Sequence, residues 1–169
     1  MNFLGVSGVE EFLQDNVRET IHALKQANIK LWMFTGDKVE NTASIALSSG
    51  IKSPSNEFYF ITNNVNKTDI LFRLSQFNKI AKNTVLVLDG KCLSVILDYK
   101  ELIYQFFKAA LKSPNVCLCR CSPTQKTEMM KLLKEHTGSV VAAVGDGQND
   151  VGMLTQSDLG ICITDKDES

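Results

Sequence analysis

The chain has 169 residues, 44% hydrophobic and 22% charged, which suits one domain with its own apolar core. Its 18 basic and 19 acidic residues leave a formal charge of −1 and are spread along the sequence, which argues against an electrostatic nucleic-acid binder. No apolar run approaches the roughly 18–20 residues of a membrane-spanning helix, and the opening MNFLGVSGVEEFLQD is too acidic for a signal peptide, so the chain itself is expected to be soluble.

In chain order, a helical pattern over about 15–27 leads into the apolar run IKLWMF (29–34), and a second helix over 38–49 is closed by Gly50. The stretch KSPSNEFYFITNNVNKTD (52–69) is rich in Ser and Asn and reads as an exposed connection, with EFYFIT (57–62) a weaker strand candidate inside it. Then come a helix over 67–81, the strand TVLVLD (84–89), a helix over 99–112 and the strand VCLCRC (116–121). A helix over 124–136, closed by Gly138, precedes SVVAAV (139–144), a short helix over 149–156 and LGICIT (159–164). Several strands are nearly continuous in apolar residues, as expected of strands covered on both faces. Strand alternating with helix predicts a single α/β domain with a mostly parallel sheet.

Of the five cysteines, Cys117, Cys119 and Cys121 alternate along one strand, which places their side chains on one face. Zinc sites usually leave at least two residues between paired ligands, so these are expected to be small apolar strand residues in a reduced, cytosolic chain.

Ligands of open α/β sheets collect beyond the carboxyl ends of the strands. There the sequence puts Thr35-Gly36-Asp37, then Ser122-Pro123 with Lys126 a turn later, then Gly145-Asp146-Gly147-Gln148-Asn149-Asp150. Singly these have plain readings: Asp37 as a helix cap, SPTQK as a helix start with a solvated lysine, GDGQND as a turn or calcium loop. Together they supply neutral donors, an ammonium, carboxylates and a carboxamide, which suits a phosphoryl group with Mg²⁺. Glycines at 145 and 147 allow the backbone a close approach.

These elements resemble the TGD, lysine and GDGxND motifs of the haloacid-dehalogenase superfamily, and more closely the phosphorylation domain of P-type ATPases. The segments LQDNVRETIHALKQANIKLWMFTGDKVENTASIA, VLDGKCL, CRCSPTQK and GDGQNDVGML are similar to the type-IV class, the phospholipid flippases; CRCSPTQK and EHTG look most like the branch thought to work without an accessory subunit. The resemblance covers about 4–163, more weakly over 52–82. It implies a Rossmann-like core with helices on both faces of a mostly parallel sheet, and an ATP-using, Mg²⁺-dependent parent at the cytosolic face of a membrane. Thr35, Gly36, Lys126 and Asn149 would contact the phosphoryl group, Asp146 would bind Mg²⁺, and Asp37 and Asp150 would orient them. Lys126, Thr35 and Asp150 are then the candidate catalytic residues, while Arg120 and the Asp89-Gly90 pair would lie near the nucleotide.

The chain departs from the pattern in three places. Glu11-Phe12 stands where flippases have an Asp-Lys or Asp-Arg pair, and TDKDES replaces a glycine-containing turn. The DKTGT motif, whose aspartate these ATPases phosphorylate, occurs nowhere in the sequence. The expectation is a partial domain lacking the central nucleophile-bearing strand, inactive alone, with unprotected inner strand edges that favour self-association. Its partners would be the nucleotide-binding, actuator and membrane domains of the parent, and a phospholipid held by membrane helices outside this sequence. A soluble phosphatase of the superfamily is the alternative enzyme, but needs a DxD nucleophile near its start, where only Glu10 and Glu11 are available. A nucleotide-binding or regulatory module without turnover is the alternative outside enzymes.

Overall fold

The computed structural model describes residues 4–6, 8, 13–63 and 65–164. Glu10, Glu11, Phe12 and the tail residues 165–169, on which two of the departures above turn, lie outside them.

Four strands form one parallel sheet in the order β1 (Leu31–Phe34), β4 (Asn115–Cys119), β3 (Thr84–Asp89), β2 (Glu57–Ile61). Every residue of β3 and β4 is buried, as the continuous apolar runs required. Alternation along these strands sorts side chains onto two faces. Leu86, Leu88, Val116 and Leu118 join the larger core with α3 (Lys67–Ile80), α4 (Gly90–Asp98), α5 (Lys100–Ala110) and α6 (Pro123–Thr137). Val85, Val87, Cys117 and Cys119 face α2 (Val39–Ser48) through Ala46 and Val39. Complete burial of Phe77, Phe106 and Leu93 anchors the first layer, each contributing roughly 1.5–3 kcal/mol of apolar transfer.

A second parallel pair, β5 (Ala142–Gly145) and β6 (Leu159–Cys162), flanks α7 (Val151–Gln156). It abuts the main sheet through α6: Met129 enters the large core, while the neighbouring Met130 packs with Ala143, Met153 and Phe34. Among the described residues β1 is bonded to β4 alone and β5 to β6 alone, so the parallel sheet is divided and each part keeps an open edge. Val144, Leu159 and Ile161 of the small pair are exposed.

Helix α1 (Val17–Gln26) contributes no buried residue. Polar contacts tie it to the loop after α2: Arg18 Nε donates to the Ser48 carbonyl, and Lys25 Nζ donates to the carbonyls of Gly50 (2.8 Å) and Ile51 (2.6 Å).

The structure refines three expectations. The weaker strand candidate within 52–69 is β2, whose Ile61 is fully buried against β3. The helix expected over 99–112 is α5, but a further helix, α4, precedes it and begins at Gly90, where the Asp89 carboxylate caps it by accepting from the Cys92 N–H at 2.9 Å. The run over 116–121 stops as a strand at Cys119: Arg120 takes a left-handed φ of 51°, and Cys121 therefore packs in the opposite core layer from Cys117 and Cys119.

Candidate functional site

The loop after β1 and the turn after β4 are joined by backbone. Thr35 N donates to the Leu118 carbonyl (2.9 Å), Cys121 N to the Thr35 carbonyl (3.0 Å), and Arg120 N to the Asp37 carbonyl (3.0 Å). Asp37 does not cap α2, which starts without any side-chain cap. Its Oδ2 accepts from the Thr35 hydroxyl at 2.9 Å, and that same hydroxyl oxygen accepts from the Asp37 N–H at 3.1 Å. This closed pair fixes the threonine side chain beside Gly36, which is exposed and has free space around it.

Ser122 begins α6 with a capping box: its hydroxyl accepts from Gln125 N, and Gln125 Oε1 accepts from Ser122 N. Gln125 also donates from Nε2 to the Gly90 carbonyl (2.7 Å) and to Ser94 Oγ (2.9 Å), welding the start of α6 to that of α4. Sequence reasoning overlooked Gln125; the Ser-x-x-Gln spacing was the available signal. Gly90 lies so close that a Cβ there would meet the Arg120 carbonyl oxygen at 2.2 Å. Asp89 is buried, and its second carboxylate oxygen accepts from the Asn63 N–H at 2.7 Å. Asp89, Gly90 and Arg120 are thus gathered, with the Asp89 carboxylate engaged by two backbone amides.

One turn into α6, Lys126 is buried rather than solvated, and its Nζ donates to Asp150 Oδ1 at 2.8 Å. Gly145 makes room for this partner, since a Cβ at 145 would stand 2.5 Å from that of Asp150. Gly147 similarly yields to the Asn149 side chain, whose Oδ1 would lie 2.4 Å from an added Cβ. The three motifs are therefore brought together pairwise: TGD with the turn before SPTQK, and SPTQK with GDGQND. Asp146 and Asn149 stay exposed on the last loop.

The donor set bears on the metal. Among the described residues no group of three or more His, Cys, Asp or Glu side chains could hold an ion. Asp150 is engaged by Lys126, which leaves Asp146 as a solvent-facing carboxylate with no protein partner among the described residues. One free carboxylate fits Mg²⁺, which keeps several waters, and does not fit a closed zinc cage. The cysteine chemistry agrees: burial pushes the Cys117 and Cys121 thiols up to about 12 and Cys119 to about 11, with the Asp89 charge adding to burial at Cys119. Held protonated, these thiols act as small apolar core side chains.

A divided parallel α/β sheet with TGD, lysine and GDGxND elements at its carboxyl ends defines the haloacid-dehalogenase class. The model of the haloacid dehalogenase-like hydrolases matches residues 2–158, and the chain belongs to that family. Relatives similar to it include "Probable phospholipid-transporting ATPase IIB" of Bos taurus, 40% identical over 167 residues, 99% of this chain and 14% of the relative. "Phospholipid-transporting ATPase NEO1" of Saccharomyces cerevisiae is 36% identical over the same share of this chain and 14% of its own length. "Probable phospholipid-transporting ATPase tat-5" of Caenorhabditis elegans is 38% identical over 96% of this chain and 15% of the relative. The chain thus spans about one seventh of the length of these relatives. No helix among the described residues is long and apolar enough to cross a membrane.

Proposed function

We propose that this chain is part of the phosphorylation domain of an ATP-driven phospholipid-translocating ATPase and supplies the groups that receive a phosphoryl unit and its Mg²⁺. The observation that supports this most is the buried Lys126–Asp150 pair, which holds an ammonium at the site while leaving Asp146 free. Lys126 offsets negative charge on the transferring group, and Asp150 keeps that ammonium fixed. The Thr35 hydroxyl, oriented by Asp37, the Gly36 N–H and the Asn149 amide donate to the phosphoryl oxygens. Asp146 would hold Mg²⁺, which when bound neutralises phosphate charge and orients the oxygens. Arg120 is exposed and would lie nearest the nucleotide, with buried Asp89 and Gly90 shaping the turn behind it.

The nucleophile is the aspartate of a DKTGT strand, absent from this sequence. The open edges of β1 and β5 suit one parallel strand between them, its carboxyl end beside Thr35 and Asp146. In the whole ATPase, at the cytosolic face of a membrane, aspartyl-phosphate formation and hydrolysis then drive lipid movement by membrane helices outside this sequence, with nucleotide-binding and actuator domains as partners. In that parent, Lys126→Ala should lower phosphoenzyme formation at saturating ATP by at least about 100-fold, the scale of removing one preorganised charge. An unchanged level would refute the assignment.

A further inference from the structure

The amino ends of the strands carry a second concave surface that phosphoryl transfer does not use. Two adjoining hollows, of about 450 Å³ and about 200 Å³, share Lys25 and Ser53. Arg18, His22, Lys25 and Lys52 line the larger, and Lys30 adds a further ammonium to the smaller. No Asp or Glu lines either, and the ion pairs of the described residues involve none of these basic groups. In a chain of formal charge −1, this is a local concentration of positive charge.

The cations are held in place without being neutralised. Lys25 spends its ammonium on three uncharged oxygens, the carbonyls of Gly50 and Ile51 and the Ser53 hydroxyl, and burial lowers its pKa. Arg18 is anchored through Nε alone; among the described residues its two terminal nitrogens have no acceptor. One exposed aliphatic side chain flanks each hollow: Leu47, 54% exposed, on the larger and Ile29, 49% exposed, on the smaller. Fixed cations beside exposed aliphatic side chains match the boundary between headgroup and acyl chain at an anionic membrane.

We propose that this surface binds the phosphate-bearing headgroup of an anionic lipid, with Arg18 and Lys52 donating to the phosphate, the Lys25 charge beside it without a spare donor, and Leu47 and Ile29 at the acyl boundary. The four-residue β1, about 13 Å long, separates Lys30 from Thr35, so this site and the phosphoryl site can be filled together.

Co-sedimentation of the 169-residue chain with phosphatidylcholine vesicles containing phosphatidic acid, against phosphatidylcholine alone, tests this. The chain should bind only the doped vesicles. Arg18→Gln with Lys52→Gln should weaken binding about 25-fold, the product of two roughly five-fold losses. Lys108→Gln with Lys131→Gln removes the same charge from exposed helix positions and should change binding little. Leu47→Gln keeps every charge and the fold; it should weaken vesicle binding while leaving unchanged the shifts that glycerol 3-phosphate produces in the Arg18 and Gly50 amide resonances. Equal binding to both vesicle types, or equal losses in the two double variants, would overturn the site. Glycerol 3-phosphate binding as tightly as doped vesicles would overturn the lipid as its source.

Discussion

Lys126 Nζ lies 2.8 Å from Asp150 Oδ1, with only 5% and 8% of the two side chains exposed. A buried charge without its partner is far costlier than a buried pair. Lys126→Met and Asp150→Leu should each destabilise the chain by about 3–5 kcal/mol. Lys126→Met with Asp150→Leu, which removes both charges, should recover most of that loss. Urea denaturation of the four proteins as a double-mutant cycle checks it; additive losses would mean that the pair is not coupled.

The junction of α4 with the turn after β4 makes a separate prediction. Because a Cβ on Gly90 would strike the Arg120 carbonyl, a backbone atom that cannot swing aside, Gly90→Ala should cost about 1–3 kcal/mol. Gly36→Ala, where nothing stands within 4 Å, should leave the melting temperature nearly unchanged. Thermal unfolding of the two variants side by side reads the difference.

The thiols are expected to divide sharply. Cys162 is exposed, whereas Cys92, Cys117, Cys119 and Cys121 are buried, so iodoacetamide at pH 8 should label one cysteine in the native chain and five in denaturant. Folded pKa values raised to about 11–12 mean that the native state keeps protons that the unfolded state releases above about pH 9. Stability should therefore fall as pH rises from about 9 toward 12, and replacing Cys117 by alanine should flatten part of that slope.

Much of the fold was legible because apolar runs mark strands, buried in β3 and β4 though exposed in β6. TVLVLD became β3 with unchanged bounds. Helix α4 was not, because Val95 and Ile96 carry little helical preference and its strongest signal, the capping Asp89, suits a nucleotide site equally well in sequence. The strand end at Cys119 was equally hidden: a left-handed arginine has no sequence signature comparable to glycine at Gly138. At the candidate site, the sequence places each of the three motifs after a strand, and β1, β4 and β5 do end there. The burial of Lys126 was not visible, since an isolated lysine is solvated by default and only the folded chain brings Asp150 to it.

The central claim is that these residues are one part of a phosphoryl site completed by a strand between β1 and β5. A thermal-shift titration with Mg²⁺ and beryllium fluoride, which stands in for the phosphoryl group, tests it most directly. The chain would be measured alone and with a separately made segment carrying the DKTGT strand. Stabilisation by the ligands only when the segment is present is the predicted result. Equal stabilisation without the segment, or none with it, would contradict the claim.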